Sequence, residues 1–336
     1  MAVKMVFQIM IVLLCSIDAI LYVQAAGLAI NSSCQAKSCG NLSNIPYPFG
    51  IGVLEIIYLV FFQGAGCYLD RWFEVVCMND SSGSPKPFLS SFGLEVLNIS
   101  SIEGAYDSGS STVRVNYPTF STCTNSSSRK QNVELANSSF IFSQFHNIFV
   151  AMGCDNSASM RSSDNGSMIG CMSRCDSSKV VINGSSCNGT NCCQTTIASD
   201  VNVFETTIDP IKKISDPAVS KECNSAFLVE EKWFRESGSL INMSSIMSHV
   251  PVVLEWMILE TSFNTLPIAN KTAENTEEYF CFNYSYISAS KHQPSFTCYC
   301  RRGFEGNPYL LGGCGGKIFT NARNRAESNV PIMDTA

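Results

Sequence analysis

The sequence carries few charges and few of the side chains that enzymes use most often for chemistry. Only 15% of its 336 residues are charged, three are histidines that stand apart from one another, and the formal net charge at pH 7 is −6. No run of lysine and arginine gives the basic face that nucleic-acid binders need. Asp107-Ser108-Gly109 has no second copy, which excludes the paired carboxylates of an aspartic protease. We therefore expect no enzyme, no catalytic residue and no cofactor.

Long hydrophobic runs are also missing beyond the N-terminus. Val53–Phe62 is too short for the roughly 20 apolar residues of a membrane-spanning helix, and its β-branched and aromatic side chains favour a buried strand. Residues 1–25 differ, because Lys4 precedes the apolar run Met5–Leu14 and Val23-Gln24-Ala25 offers a small-residue cleavage pattern. This pattern predicts a secretory signal peptide. After its removal, no segment of this chain is expected to span a membrane.

Cysteine, in contrast, is abundant, with one residue in the signal peptide and sixteen beyond it. An even number is expected if all of them pair as disulfides in an oxidising compartment. Zinc would not compete for the cysteines there, so no metal site is expected. The sequence leaves open the partners of Cys34, Cys39, Cys67, Cys77, Cys123, Cys154, Cys171, Cys175, Cys187, Cys192, Cys193 and Cys223. Acceptors of the form Asn-x-Ser/Thr predict glycosylation at Asn31, Asn41, Asn79, Asn98, Asn125, Asn137, Asn165, Asn183, Asn188, Asn242, Asn270 and Asn283.

Short β-branched or aromatic runs, separated by turn clusters, predict an all-β, disulfide-rich fold with at most one or two short helices. The predicted strands are Trp72–Cys77, Gly93–Ile99, Ser111–Tyr117, Phe140–Phe142, Asn147–Met152, Lys179–Ile182, Ala198–Thr207 and Pro251–Ile258. Glu222–Glu236 has a helical spacing of apolar residues, which predicts one short helix within it. Ser157–Ser167, rich in Ser, Asn and Gly, predicts a linker.

Three groups of motifs resemble one known family. The first comprises Cys39-Gly40-Asn41, Ile45–Gly52, Gly66–Cys77, Lys86-Pro87-Phe88, Leu94–Ser100 and Val113–Pro118. It resembles the extracellular galacturonan-binding module of plant wall-associated receptor kinases. The second group, Gly170–Cys175, Cys187–Ile197, Cys223–Glu230 and Val250–Trp256, is similar to the second cysteine-rich module of that family, and Tyr299–Leu310 resembles the end of its EGF-like repeat.

The resemblance implies modules at residues 30–156, 157–275 and 276–314, followed by a polar tail at 315–336. In the last, partial EGF-like module it implies the disulfides Cys281–Cys298 and Cys300–Cys314. The sequence departs from the family at Val53–Gln63, which is either an extra hairpin or wrongly retained untranslated sequence. The motifs of the family's kinase and its membrane span are not found either. The chain is therefore interpreted either as a truncated receptor or as a free extracellular form.

The implied ligand is pectin or its oligogalacturonide fragments, recognised without being altered, in the cell wall outside the cell. A polyuronate needs cations for its carboxylates and flat apolar faces for its sugar rings, and arginine suits carboxylates best. The predicted ligand-binding residues are Arg71, Lys86, Arg114, Tyr47, Tyr68 and Trp72. Arg71 and Trp72 are expected on one strand with side chains on opposite faces. Against a ligand-binding role, Trp72 is interpreted as a core residue, as are Phe49 and Phe73. The alternative function is an extracellular protein-interaction module without sugar binding; a secreted hydrolase is a third, weaker hypothesis.

Overall fold

Strands dominate the computed structural model, which describes residues 37–52, 67–100, 111–122, 133–153, 155–163, 166–174, 187–211, 224–237, 247–268, 277–283 and 294–316. Within these ranges there are two short helices, α1 (Glu231–Ser237) and α2 (Glu260–Phe263). The predicted all-β, disulfide-rich fold is confirmed. Neither helix approaches the length and apolar character that a bilayer crossing would require.

The largest sheet has seven strands, and one of them comes from far along the chain. Its order is β1-β2-β3-β4-β5-β14-β7, formed by β1 (Gly50–Ile51), β2 (Glu74–Asn79), β3 (Pro85–Leu89), β4 (Leu94–Ile99), β5 (Thr112–Pro118), β14 (His249–Trp256) and β7 (Phe140–Phe142). In β5 the alternation is regular, so Val113, Val115 and Tyr117 are buried and the residues between them are half-buried on the other face. Leu254 of β14 lies opposite Val113 on one side and Phe142 on the other.

Four smaller sheets complete the described fold. A four-stranded sheet has the order β11-β8-β13-β6, with β6 (Phe120–Thr122), β8 (Asn147–Met152), β11 (Cys192–Thr196) and β13 (Asn224–Glu230). A second sheet has the order β10-β9-β12, with β9 (Asn156–Ser162), β10 (Met168–Ser173) and β12 (Phe204–Pro210). The C-terminal part holds β15 (Ile258–Leu259), β16 (Tyr279–Asn283) and β17 (Ser295–Cys300) in one sheet, and β18 (Phe304–Gly306) and β19 (Cys314–Gly316) in another.

An aromatic cluster at Trp256 joins these parts into one core. The Trp256 ring lies 5.5 Å from the ring of Phe49, 5.6 Å from that of Phe73 and 5.7 Å from that of Tyr309. All four side chains are almost fully buried. The first two contacts are edge-to-face, the geometry that the aromatic quadrupole favours. Segments from all three predicted modules therefore share one hydrophobic core.

Five disulfides link described cysteines: Cys39–Cys77, Cys171–Cys193, Cys187–Cys192, Cys281–Cys298 and Cys300–Cys314. The last two are the pairs that the EGF-like resemblance implies. Cys67 is disulfide-bonded as well. The other cysteines beyond the signal peptide lie outside the described residues, as do the predicted strands Val53–Phe62 and Lys179–Ile182.

One local prediction was wrong, and another was confirmed only in part. Ser157–Ser167 is not a linker, because most of it lies in β9, the central strand of its sheet, where Ala158 and Met160 alternate with half-buried serines. The small polar side chains of this strand are typical of a loop, so the sequence pattern did not indicate a strand. β9 also crosses the expected module boundary between residues 156 and 157. The short helix predicted within Glu222–Glu236 is present as α1, but the first half of that window is strand, since β13 occupies Asn224–Glu230. β13 is buried along its length between β8 and β6, so tertiary pairing outweighed the helical spacing.

Candidate functional site

The three predicted ligand-binding cations have different surroundings. Lys86 Nζ lies 3.1 Å from Glu95 Oε1 on the neighbouring strand, and its side chain is 40% exposed. Arg114 Nε lies 2.6 Å from Glu230 Oε2, with the two side chains 32% and 17% exposed. This second pair connects β5 to the end of β13 and therefore ties the largest sheet to the four-stranded one. Both cations already have carboxylate partners, which compete with any anionic ligand.

Arg71 is the exception among these three. Its side chain is exposed, and among the described residues no carboxylate forms a salt bridge with it. Its guanidinium lies 4.2 Å from the centre of the Trp72 ring, close enough for a cation–π contact. Trp72 stacks in turn on Phe92, with ring centres 5.7 Å apart and an interplanar angle of 15°. The guanidinium thus contacts an indole ring that is itself packed against a second aromatic ring.

The expectation that Arg71 and Trp72 point to opposite faces of a strand was wrong. Both residues lie in a turn before β2, where strand alternation does not apply. The turn is closed by hydrogen bonds to Asp70: the Phe73 N–H donates to the Asp70 carbonyl at 3.0 Å, and the Trp72 N–H donates to Asp70 Oδ1 at 2.8 Å. Aspartate commonly forms such local bonds in turns. The turn therefore folds the arginine over the indole.

The second oxygen of Asp70 is bound from a distant part of the chain. The Ser262 hydroxyl, in α2, donates a hydrogen bond to Asp70 Oδ2. In the same region the Asn307 amide, from the EGF-like part, donates to the Tyr47 carbonyl at 2.6 Å. Ser262 and Asn307, which no sequence motif singled out, therefore hold the segments that carry Arg71 and Tyr47.

The two candidate tyrosines are partly buried and keep their protons. Burial raises the pKa of Tyr47 to about 12, and the nearby charge of Asp70 adds to the effect. Burial likewise raises the pKa of Tyr68 to about 12; the charge of Glu74 adds to it, as does the bond that the Tyr68 hydroxyl donates to Glu74 Oε1 at 3.1 Å. Both phenols are therefore neutral hydrogen-bond donors at any physiological pH.

Four of the six predicted residues, Tyr47, Tyr68, Arg71 and Trp72, lie on connections near β1 and β2, whereas Lys86 and Arg114 lie within β3 and β5. Phe49 and Phe73, which the resemblance also placed in matching motifs, are core residues. An exposed guanidinium has its edge N–H groups available for bidentate contact with a carboxylate. We call Tyr47, Asp70, Arg71, Trp72 and Ser262 the Arg71 site.

A histidine that seemed isolated in the sequence has partners in the fold. His146 Nδ1 lies 2.8 Å from Ser143 Oγ, and the Ser143 hydroxyl donates to Glu255 Oε1 at 2.5 Å. This is not the arrangement of a hydrolase, because the serine proton points to the carboxylate and the serine is fully buried. Within the described ranges, no group of three His, Cys, Asp or Glu side chains is arranged to hold a metal ion.

Six of the twelve predicted glycosylation sites lie among the described residues. Their side chains are exposed at Asn41, Asn79, Asn98, Asn137 and Asn188, and half-buried at Asn283. Asn98 of β4 lies directly opposite Arg114 of β5. A glycan on Asn98 would therefore occupy the space next to Arg114.

Comparison with known proteins gives two family matches. The family described as wall-associated receptor kinase galacturonan-binding matches residues 34–117, and the family described as wall-associated kinase matches residues 184–264. The Arg71 site thus draws residues from both matched regions, since Ser262 lies in the second.

Relatives from Arabidopsis thaliana extend the similarity over most of the chain. Wall-associated receptor kinase-like 10 is 28% identical over 327 residues, covering 85% of this chain and 39% of that protein. Wall-associated receptor kinase-like 5 is 31% identical, with 84% and 38% covered, and wall-associated receptor kinase-like 6 is 30% identical, with 84% and 44% covered. The chain spans about two fifths of the length of these relatives. No solved structure matches it.

Proposed function

The chain belongs to the wall-associated receptor kinase family as a receptor ectodomain, and on that premise we propose that it binds pectin-type polyuronates in the cell wall. In this proposal the protein binds oligogalacturonides without altering them, and Arg71 supplies the main contact to a ligand carboxylate. The proposal rests on one observation above all. Arg71 is the exposed member of the three candidate cations, and no described carboxylate neutralises it.

The shape of the site suits a uronate. The Arg71 guanidinium packs against the Trp72 ring, and the residue is exposed to solvent. Arginine binds carboxylates bidentately, and contact with the indole limits the rotamers that must be frozen on binding. The Tyr47 phenol, which stays protonated up to about pH 12, is a further donor near the Asp70 side of the site.

Electrostatic attraction must be local in this protein. The net charge of −6 repels a polyanion at long range, so Arg71 attracts uronates only within about one Debye length. Lys86 and Arg114 contribute less, because each is paired with a glutamate and Arg114 lies beside the glycosylation acceptor Asn98. Binding should therefore weaken steeply as salt is added.

The test is a titration of the purified glycoprotein with oligogalacturonides, by calorimetry at low salt. Arg71→Gln should weaken binding by about 10- to 100-fold, the range expected for one hydrogen-bonded charge contact. Arg71→Lys should recover only part of the affinity, because lysine lacks the bidentate fork. Arg161→Gln, an exposed arginine on β9, is the matched control and should change nothing. A fully methyl-esterified ligand should not bind.

A protein-interaction module is the second candidate. Phe282 is 49% exposed on the EGF-like sheet, and its ring lies 5.0 Å from that of Phe280. Together the two rings form an aromatic surface, and aromatic residues are enriched in protein interfaces. If the protein shows no saturable oligogalacturonide binding at low ionic strength, the sugar proposal is rejected and this surface becomes the leading candidate.

A further inference from the structure

Asp70 is the nearest acidic neighbour of Arg71 in sequence, yet the two side chains form no salt bridge in the described structure. Opposite charges on adjacent residues of a turn attract each other and would be expected to form a salt bridge. Here both carboxylate oxygens are engaged elsewhere: Oδ1 accepts the Trp72 N–H at 2.8 Å, and Oδ2 accepts the Ser262 hydroxyl. The acid is therefore held in an orientation in which it forms no salt bridge with the guanidinium.

Ser262 is well placed to hold this orientation. It lies in α2, next to Phe263, which is buried and stacks on Phe296 with ring centres 4.1 Å apart. The Ser262 carbonyl accepts bonds from the N–H of Thr265 at 3.1 Å and from its hydroxyl at 2.7 Å. Because the turn is already packed, the Ser262 hydroxyl is held in position with little additional loss of conformational entropy.

We propose that Ser262 is a positioning residue for polyuronate binding, because it holds the Asp70 carboxylate away from Arg71 and so keeps the guanidinium open to the ligand. This inference rests on the proposed function. Without the Ser262 hydroxyl, Oδ2 loses its partner and the carboxylate turns toward Arg71, where it competes with the uronate. The site is thus composite: its cation lies within residues 34–117, and the residue that keeps the cation free lies within residues 184–264.

The test measures oligogalacturonide affinity and its salt dependence in four variants of the full chain. Ser262→Ala should weaken binding by up to about fivefold, the range of an exposed ion pair that now competes with the ligand. Ser262→Thr retains the hydroxyl and should bind like the wild type. Asp70→Asn removes the competing charge but preserves the shape and acceptor of the side chain, and should bind at least as tightly as the wild type. The double variant Ser262→Ala/Asp70→Asn should match Asp70→Asn alone.

The comparison within this set separates charge competition from a merely structural role. A structural loss would lower the melting temperature and would persist in the Asp70→Asn background, and that result would overturn the inference. Thr265→Ala, which disturbs the same turn without contacting Asp70, is the control and should leave affinity unchanged. Unchanged binding in Ser262→Ala, together with a large loss in Arg71→Gln, overturns the role of Ser262 and leaves the proposed function standing. No loss in Arg71→Gln overturns both.

Discussion

Replacing Trp256 by alanine should destabilise the protein more than replacing any other tryptophan. The side chain is 2% exposed and its ring contacts those of Phe49, Phe73 and Tyr309, each less than 6 Å away. Truncation of a buried aromatic residue to alanine costs about 3–5 kcal/mol, because the transfer energy is lost and the cavity does not collapse fully. We expect this full range at Trp256, since its contacts come from three separate segments that cannot all move inward.

Trp256→Phe should behave differently. The indole Nε1 is buried and has no hydrogen-bond acceptor among the described residues. An unsatisfied buried donor already costs about 1–3 kcal/mol in the folded state. Phenylalanine removes this cost and leaves only a small void, so the net loss should stay within about 1.5 kcal/mol.

Urea unfolding under non-reducing conditions, followed by far-UV circular dichroism, measures both variants. Trp233→Ala is the matched control, because Trp233 is only partly buried, and it should lose about 1 kcal/mol, as an average substitution does. If Trp256→Ala loses no more than Trp233→Ala, the aromatic cluster does not join the segments as described. If Trp256→Phe loses as much as Trp256→Ala, the reasoning about the unsatisfied indole is wrong.

Two further predictions concern charges. Arg114→Ala should destabilise the protein by about 1.5–3 kcal/mol, because it leaves the partly buried Glu230 without its partner. Oligogalacturonide affinity should change little. A large loss of affinity with an unchanged urea midpoint would contradict the structural role of this pair. Alkaline titration followed at 295 nm should show Tyr47 and Tyr68 ionising near pH 12. Because their folded pKa values lie above the ordinary 10.0, their contribution to stability is complete below pH 10 and is lost as pH rises toward 12. Ionisation of both near pH 10 would argue against their burial.

The sequence was informative wherever a local pattern carries the structure. The runs at Gly93–Ile99, Ser111–Tyr117 and Asn147–Met152 became β4, β5 and β8 within one or two residues, since apolar and β-branched side chains alternate or cluster there. The predicted strand Ala198–Thr207 formed only from Phe204 onward. Strand β9 was missed, because its serines and asparagine are typical of loops.

The candidate site was predicted only in part. Motif resemblance selected Arg71 and Trp72, but their contact depends on a turn, and turns are defined by backbone hydrogen bonds rather than by residue spacing. Ser262 and Asn307 lie so far along the chain that no local pattern links them to the site. The pairing of Lys86 and Arg114 with glutamates could not be predicted from the sequence either, because it depends on strand register and on the packing of one sheet against another.

The position of β14 between β5 and β7 affects how the protein can be made. β5 and β7 are synthesised long before β14, so in the nascent chain the edge of β5 that pairs with β14 is open, and Val113 and Val115 lack their strand partners. Open apolar edges invite aggregation, and pairing over long sequence distances is slow. The largest sheet therefore cannot be completed until β14 has been synthesised. A polypeptide that ends before His249 lacks the strand between β5 and β7, and we expect cellular quality control to degrade it.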